Sequence, residues 1–307
     1  MNAARLVAVV GPTAAGKSAL AVDLARCCDG EVVNTDAMQL YRGMDIGTAK
    51  VGAAERAVVR HHLLDVLEVT EPATVAEFQG WARAAVREVQ GRGRLPILVG
   101  GSGLYVQAVV DDLVFPGTDP ALRARLESDL AAEGPSALHA RLAAVDPAAA
   151  AAILPTNGRR IVRALEVVQL TGRPFAARLP EPRFWEPATL LLGLEVDRAE
   201  LDARIERRVQ RMWEAGLVDE VRRLQAAGLR EGRTASRALG YRQVLAALAG
   251  ECSLADAQAA TVAATRRFAR RQESWFRRDP RVRWVRQDDP DALPTARALV
   301  HDLPSAP

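Results

Sequence analysis

The sequence predicts an α/β protein in which a core of parallel strands and helices is interrupted by an inserted helical domain. Short apolar runs alternate with longer segments of helical periodicity, an order typical of parallel sheets. A glycine-rich loop directly follows the first apolar run. A stretch rich in alanine and arginine, with helical periodicity and frequent prolines, separates the third run from the fourth. The apolar runs occupy residues 6–10, 31–34, 95–99, 190–195 and 282–285.

The glycine-rich loop reads GPTAAGKS at residues 11–18 and matches the G-x-x-x-x-G-K-[ST] spacing of a P-loop. Its two glycines let the backbone curl until successive N–H groups point at phosphate oxygens, and the following helix adds the positive end of its dipole. Lys17 adds a positive charge, and the Ser18 hydroxyl faces a metal ion. The core is therefore predicted to be P-loop NTPase-like, with a polyphosphate such as ATP as the default ligand. The predicted phosphate-binding residues are Gly11, Pro12, Thr13, Ala14, Ala15, Gly16, Lys17 and Ser18.

The domain boundaries are expected near the two ends of the proline-rich stretch. Prolines at 116 and 187 bound it, so we expect a catalytic core made of residues 1–115 and 188–307 and an inserted helical domain of residues 116–187. From residue 198 to residue 228, apolar residues recur at helical spacing. This spacing predicts one or two long amphipathic helices that return to the core.

The C-terminal part of the chain carries a dense group of arginines. A predicted helix around residues 262–276 has Phe268, Gln272 and Trp275 on one side and arginines on the other. We expect this helix to dock through its aromatic residues and to show a basic face outward. A solvated surface and a nucleic-acid-binding surface explain the basic face equally well. The arginines are Arg266, Arg267, Arg270, Arg271, Arg277, Arg278, Arg281, Arg283 and Arg286.

Composition excludes several classes of protein. The chain has 307 residues, 49% of them hydrophobic, and a formal net charge of +3. It contains no apolar stretch long enough to span a bilayer and no signal-peptide pattern. Its three cysteines form neither a metal-binding motif nor a disulfide framework. We therefore expect a cytoplasmic protein with no membrane partner.

Two predicted strand ends bear on what the P-loop does with its ligand. Many P-loop enzymes hold magnesium with an aspartate at the end of a second apolar strand. Here the run 95–99 leads instead into a second glycine turn, residues 100–103, that contains Ser102. Asp36 follows the run 31–34, and strand carboxyl ends form the ligand crevice of a parallel sheet. Its carboxylate could bind magnesium, accept a proton from a nucleophile or cap a helix.

Six motifs follow one another along the chain: GPTAAGKS, TDAMQLYRGMDIGTAK, HHLLD (61–65), VGGSGLY (99–105), RRIVRALEV (159–167) and RALGYRQ (237–243). Together they resemble those of the tRNA dimethylallyltransferases, over nearly the whole chain. The resemblance implies transfer of a dimethylallyl group from dimethylallyl diphosphate to the exocyclic amine of the adenosine just 3′ of the anticodon, in tRNAs that read codons beginning with U. It also implies that the P-loop holds the donor's diphosphate, with Mg²⁺.

The resemblance also implies roles for individual residues. Asp36 matches the family's catalytic base, and Lys17, Ser18 and Ser102 are its further catalytic residues. Ser18 is the implied Mg²⁺ ligand, with Asp36 reaching the ion through water. The implied partner is the anticodon stem-loop of tRNA, and the protein is expected to be a monomer. The implied tRNA-contacting residues are Asp36, Ala37, Met38, Gln39, Ser102, Arg123, Arg159, Arg160, Ile161, Val162, Arg163, Arg237, Gly240, Tyr241, Arg242 and Gln243.

The chain departs from the family's commoner form at three positions, and two other function classes stay open. Ser18 and Ser102 replace threonines and keep the hydroxyl, whereas Ala37 replaces a serine and loses a hydrogen-bonding group. A P-loop small-molecule or nucleotide kinase is one alternative, and the second glycine turn argues against it. A non-catalytic P-loop module that binds RNA is the other, and Asp36 argues against that. The adjacent histidines His61 and His62 are expected to be structural.

Overall fold

The computed structural model describes residues 5–175 and 180–304. Within them the chain divides into two compact units, Met1–Asp111 with Phe184–Pro307 as the first and Asp112–Arg183 as the second. The sequence placed the corresponding boundaries at residues 116 and 187. In the described part of the chain, no helix is both long and apolar enough to cross a membrane.

The first unit is built on a parallel sheet. Its strands are β1 (Arg5–Val10), β2 (Gly30–Asn34), β3 (His61–His62), β4 (Leu95–Val99), β5 (Ala188–Glu195) and β6 (Val282–Arg286). Among the described residues they pair in the order β3-β2-β4-β1-β5-β6, and every pairing is parallel. Because the strands are parallel, the segments that follow β1, β2 and β4 leave the same edge of the sheet. All five predicted strands are confirmed, and β3 was missed because two histidines carry no apolar pattern.

Helices connect the strands and make up most of the second unit. Those of the first unit that precede it are α1 (Lys17–Cys27), α2 (Ala53–Val58), α3 (Val75–Gly91) and α4 (Gly103–Val110). The second unit holds α5 (Pro120–Val145), α6 (Pro147–Ala152) and α7 (Gly158–Thr171). The first unit resumes with α8 (Arg198–Glu214), α9 (Leu217–Ala226), a 3-10 turn (Ala235–Arg237), α10 (Tyr241–Leu248), α11 (Leu254–Phe276) and α12 (Ala292–His301).

Local signals start and stop these helices. The side chain of Asp197 accepts hydrogen bonds from the first backbone N–H groups of α8, and Ser253 forms a capping box with Asp256 at the start of α11. Gly216, with φ of 95°, separates α8 from α9. The segment predicted as one or two amphipathic helices therefore forms two.

The sheet separates two apolar layers, as the period of a strand requires. Along β1, Leu6 and Val10 contribute to one layer, whereas Val7 and Val9 contribute to the other. The first layer contains Tyr41, Phe78, Leu217 and Tyr241 from the helices and connecting segments. The second contains Leu20 and Leu24 of α1 together with Ala296 and Val300 of α12.

The second unit has its own core. Helix α5 is interrupted at Gly134, which has φ of 81° and precedes Pro135. Both segments of α5 supply leucines that pack against α6 and α7. The fully buried members of this core include Leu126, Leu138, Leu142, Ile161 and Ala164.

Candidate active site

The P-loop adopts a backbone conformation that favours glycine at two of its positions. Gly11 has φ of 135° and Gly16 has φ of 94°, and both values lie in the region that favours glycine. A side chain at Gly11 would place its Cβ 2.9 Å from the carbonyl oxygen of Leu194 in β5. Helix α1 begins at Lys17, directly after the loop, so its unpaired N–H groups face the same space as the loop amides. Ser18, in the first turn of α1, is exposed.

Lys17 is held in an unusual electrostatic environment. Its Nζ donates a hydrogen bond to the carbonyl oxygen of Pro12 at 2.7 Å. Burial and the nearby positive charge of Arg208 lower the pKa of Lys17 from 10.5 to about 8, although the charge of Asp36 acts in the opposite direction. The loop therefore holds a cation whose charge is only partly compensated by protein groups. An anionic ligand would supply the missing compensation.

Asp36 lies just beyond the end of β2 and is fixed by its neighbours. Its backbone N–H donates to Asn34 Oδ1 at 2.8 Å, and the Asn34 amide donates back to the Asp36 carbonyl oxygen at 3.0 Å. Asp36 Oδ1 accepts from the N–H of Met38 at 2.9 Å. One carboxylate oxygen thus caps the following turn, which is one of the roles the sequence left open. The other oxygen, Oδ2, has no hydrogen bond to a described residue and can act on a ligand.

The P-loop, Asp36 and the second glycine turn line one cavity of about 780 Å³. Its lining includes many of the predicted site residues: Thr13, Ala14, Gly16, Lys17, Ser18, Asp36, Ala37, Met38, Gln39, Ser102, Arg237, Gly240 and Arg242. Ser102 precedes α4 without capping it through its side chain. Gly11, Pro12, Ala15, Tyr241 and Gln243 are not part of the lining.

Two of the predicted tRNA-contacting residues, Tyr241 and Gln243, are buried and support the cavity wall. Tyr241 is fully buried, and its hydroxyl donates to Glu220 at 2.5 Å. Glu220 also accepts from the backbone N–H groups of Asp45, Ile46 and Gly47. Burial, followed by the charge of Glu220, raises the pKa of the Tyr241 hydroxyl. These bonds fix the loop of residues 45–50, part of which lines the cavity.

Gln243 is also buried, and its side chain accepts the backbone N–H of Gly240 at the start of α10. Ala37 lines the cavity but is 92% buried, with 8% of its surface exposed. Its methyl group therefore presents little surface to a ligand. Any contact that tRNA makes at this position falls mainly to the backbone.

One face of α8 adds a charged residue that the sequence did not identify. Ile205, Arg208, Val209 and Met212 all line the cavity, at the spacing of one helical face. Arg208 is half-buried, and its partial removal from water lowers its pKa, while the charge of Asp36 raises it. An arginine in an otherwise apolar helical stripe was the available sequence signal. Arg208 adds a second positive charge near Lys17 and Asp36.

Helix α11 differs from its prediction in two ways. Phe268 lines the cavity together with Arg267 and Arg271, whereas Trp275 is 38% exposed. The predicted basic face and the arginines that follow α11 are partly neutralised, because several of these arginines form ion pairs with acidic residues. The pairs are Arg266 with Glu206, Arg270 with Asp202, Arg277 with Glu195, Arg281 with Asp111 and Asp279, and Arg286 with Asp288.

The predicted tRNA-contacting residues of the second unit fall into two groups. Arg123 and Arg163 both form ion pairs with Glu166, which is fully buried. Burial acts to raise the pKa of Glu166, but hydrogen bonds from Arg123, Thr118 and Arg163 lower it to about 2. Ile161 and Val162 are buried, whereas Arg159 and Arg160 are exposed. Arg159 and Arg160 are thus the ones whose side chains are open to a large partner.

The cavity residues fit a magnesium ion better than a transition metal. Among the described residues, no group of three or more His, Cys, Asp and Glu side chains could hold a metal ion. Asp36 and the hydroxyls of Ser18 and Ser102 supply oxygen donors only. Mg²⁺ is commonly held by one or two carboxylates, waters and substrate phosphates. The adjacent histidines His61 and His62 do not line the cavity; His61 is hydrogen-bonded to the Val59 carbonyl oxygen and His62 to Glu31.

Comparison with known proteins finds the same similarity along most of the chain. Residues 39–279 match the IPP transferase family. The chain is 67% identical over 284 residues to the tRNA dimethylallyltransferase of Streptomyces avermitilis, covering 92% of this chain and 90% of that protein.

Two solved structures are also similar. The full-length tRNA isopentenylpyrophosphate transferase of Bacillus halodurans is 40% identical, with a TM-score of 0.71 and 97% of each chain covered. A eukaryotic dimethylallyltransferase acting on tRNA is 25% identical, with a TM-score of 0.84 and coverage of 99% of this chain and 81% of that chain.

Proposed function

The chain belongs to the IPP transferase family, and from that premise we propose how its cavity works as the site of a tRNA dimethylallyltransferase. The enzyme is a prenyltransferase that acts on adenosine in tRNA. The observation that carries the proposed mechanism is that the P-loop, Asp36 and Ser102 line the same cavity. A phosphate cradle and a candidate base therefore face one space in which the donor and the acceptor can meet.

The P-loop holds the diphosphate of dimethylallyl diphosphate. The amides of the loop, the start of α1, Lys17 and Arg208 are the groups that face its charge. When the allylic C–O bond breaks, negative charge grows on the departing oxygen, and these groups stabilise it. Magnesium held through Ser18, with Asp36 reached through water, would add positive charge on the same oxygens. The charge of Lys17, which protein groups compensate only in part, supports this assignment.

Asp36 acts as the base. The exocyclic amine of adenine is a poor nucleophile because its lone pair is delocalised into the ring, so removing a proton assists attack. As the N–C bond forms and the C–O bond breaks, the amine proton passes to Asp36 Oδ2. The hydrogen bond from Met38 to Oδ1 keeps the carboxylate oriented for this transfer. The products are the prenylated base, diphosphate and a proton.

The acceptor base reaches the cavity by leaving its stack in the anticodon loop. Extrusion costs a few kcal/mol, which contacts to the RNA backbone must offset. Arg237, Arg242, Arg267 and Arg271 line the cavity and are exposed, which supports their assignment to these contacts. The target is the adenosine 3′-adjacent to the anticodon in tRNAs that read codons beginning with U. The apolar stripe of Ile205, Val209 and Met212 offers a surface for the dimethylallyl group.

A transfer assay tests this function against its rivals. Purified protein is incubated with Mg²⁺, unmodified tRNA and either dimethylallyl diphosphate labelled in carbon or ATP labelled in its terminal phosphate. We expect carbon label on the tRNA from the first donor and no label from the second. A kinase would transfer phosphate from ATP, and a binding module would transfer nothing, so either result would refute the proposal.

The role of Asp36 has its own test. Asp36→Asn keeps the size of the side chain and removes the basic oxygen. We expect kcat to fall by about a hundredfold or more while donor binding persists, because general-base catalysis contributes typically 10²–10⁴-fold. A variant that keeps the rate of the parent protein would overturn the assignment.

A further inference from the structure

Gln272 occupies a position in the first unit that the proposed mechanism has not used. It lies in α11, lines the cavity and is only 6% exposed. A buried amide is costly unless its polar atoms are paired, so its partners indicate why it is there. Those partners are the two glycine-containing loops of the cavity.

The first partner is the P-loop. The backbone N–H of Thr13 donates to Gln272 Oε1 at 2.9 Å. Thr13 lies between Gly11 and Ala14, both of which have positive φ values. The bond therefore restrains the loop at its most contorted part, and it joins the Thr13 amide to α11.

The second partner is the second glycine turn. A Cβ on Gly101 would lie 2.2 Å from Gln272 Nε2 and 3.0 Å from the carbonyl oxygen of Gly11. The side-chain amide of Gln272 thus lies directly against the backbone of the turn, and only glycine leaves room for it. The same side chain touches the P-loop and the turn that carries Ser102.

The turn is also in contact with the segment that carries Asp36. A Cβ on Gly100 would lie 2.2 Å from Oγ1 of Thr35, the residue before Asp36. A Cβ on Gly103 would lie 2.4 Å from the ring of Trp275, one turn of α11 beyond Gln272. The turn is therefore packed between α11 on one side and the end of β2 on another, with no space to move independently.

We propose that Gln272 is a positioning residue for the transfer reaction. Its side chain sets the distance between the P-loop, which holds the diphosphate, and the two groups on the acceptor side, Ser102 and Asp36. The proposal rests on the proposed function, since it assigns the P-loop to the donor. Gln272 does not touch the reacting atoms. It acts through Thr13 of the P-loop and Gly101 of the second glycine turn. Its loss therefore changes the distance between the P-loop and the turn, while each of the two stays intact.

The experiment compares Gln272→Ala with the parent protein and with Gln225→Ala, a control at an exposed glutamine of α9 outside the cavity. The rate of prenyl transfer at saturating substrates gives kcat. Calorimetry with Mg²⁺ and dimethylallyl diphosphate, without tRNA, gives the donor Kd. For Gln272→Ala we expect kcat to fall by about tenfold to a hundredfold, as for a small misplacement of reacting groups. The donor Kd is expected to change by less than about threefold, because Lys17 and Arg208 remain.

A second variant and a double variant keep the test decisive. Gln272→Glu retains an oxygen for the Thr13 N–H but places negative charge against the backbone of Gly101, so it should also lower kcat. Its unfolding temperature, measured alongside, checks that the variant is folded. Gly101→Ala should lower kcat by itself. Combined with Gln272→Ala it should cost less than the product of the two effects, because the new Cβ then has room.

Three results would overturn the inference. An unchanged kcat in both Gln272 variants would make the residue purely structural. A donor Kd that rises in parallel with the loss of rate would make Gln272 a ligand of the diphosphate. Multiplicative effects in the double variant would remove the link to Gly101. Absence of transfer by the parent protein would instead refute the proposed function, so the two failures are distinguishable.

Discussion

The lowered pKa of Lys17 predicts that the donor is bound together with a proton. In the free protein, burial and the charge of Arg208 bring the pKa of Lys17 to about 8. A bound diphosphate adds several negative charges beside the ammonium group and raises that pKa again. Binding therefore takes up a proton whenever Lys17 is neutral beforehand. Because the charged form is the one that binds, donor affinity must fall as pH rises through 8.

The size of the effect follows from a pKa of about 8 in the free protein. If Lys17 is fully protonated in the complex, proton uptake is about 0.1 per site at pH 7, about 0.5 at pH 8 and about 0.9 at pH 9. Over the same range, the donor Kd rises about tenfold. Calorimetry in buffers of different ionisation enthalpy measures both quantities without tRNA. Lys17→Arg is the matched control, because its side chain stays charged throughout this range.

A flat profile in the parent protein would refute this reasoning. If proton uptake at pH 9 equals that at pH 7, Lys17 is charged throughout this range. Burial and Arg208 would then not lower the pKa of Lys17, contrary to what the structure indicates. A slope that persists unchanged in Lys17→Arg would assign the titration to another group or to the donor.

Two further predictions concern the groups that support the site. Glu220→Gln weakens the anchor of the 45–50 loop, since Glu220 accepts hydrogen bonds from three backbone N–H groups and from the Tyr241 hydroxyl. We expect urea denaturation to show that the free energy of unfolding falls by about 2 kcal/mol. An unchanged denaturation midpoint would refute the anchoring role. Glu166→Ala leaves Arg123 and Arg163 without their buried partner and should destabilise the second unit by about 3 kcal/mol, which hydrogen exchange of α5 and α7 would detect. Because the pKa of Glu166 is lowered from 4.5 to about 2, the stabilisation that it contributes is present above pH 4.5 and is lost as pH falls toward 2. Acid unfolding that is the same with and without Glu166 would contradict this.

The parts of the site that could be predicted from sequence are those encoded by local patterns. The P-loop has fixed spacing, its strand is a continuous apolar run, and Asp36 directly follows another such run. Knowing that the strands are parallel is enough to place Asp36 and the second glycine turn at the same edge of the sheet as the P-loop. The motif order then indicated the family.

The residues that were missed, and the bonds that hold the predicted ones, depend on contacts between distant segments. Arg208 reaches the P-loop because β5 pairs with β1 and so brings α8 alongside, which no local pattern encodes. Gln272 has the helical position of a packing residue, and only the structure shows that its partners are Thr13 and Gly101. Tyr241 belongs to a conspicuous motif, but its hydroxyl is directed to Glu220. A motif thus identifies the neighbourhood of a site without saying which side chains face it.

The central claim is that the P-loop binds a diphosphate that leaves carbon, with no phosphoryl group transferred. Dimethylallyl diphosphate labelled with ¹⁴C at its allylic carbon and ³²P in its phosphates tests this directly in a single turnover with unmodified tRNA. The account predicts equal molar amounts of ¹⁴C on the tRNA and of ³²P in free inorganic diphosphate. Phosphorus label on the tRNA, or diphosphate release without carbon transfer, would contradict it.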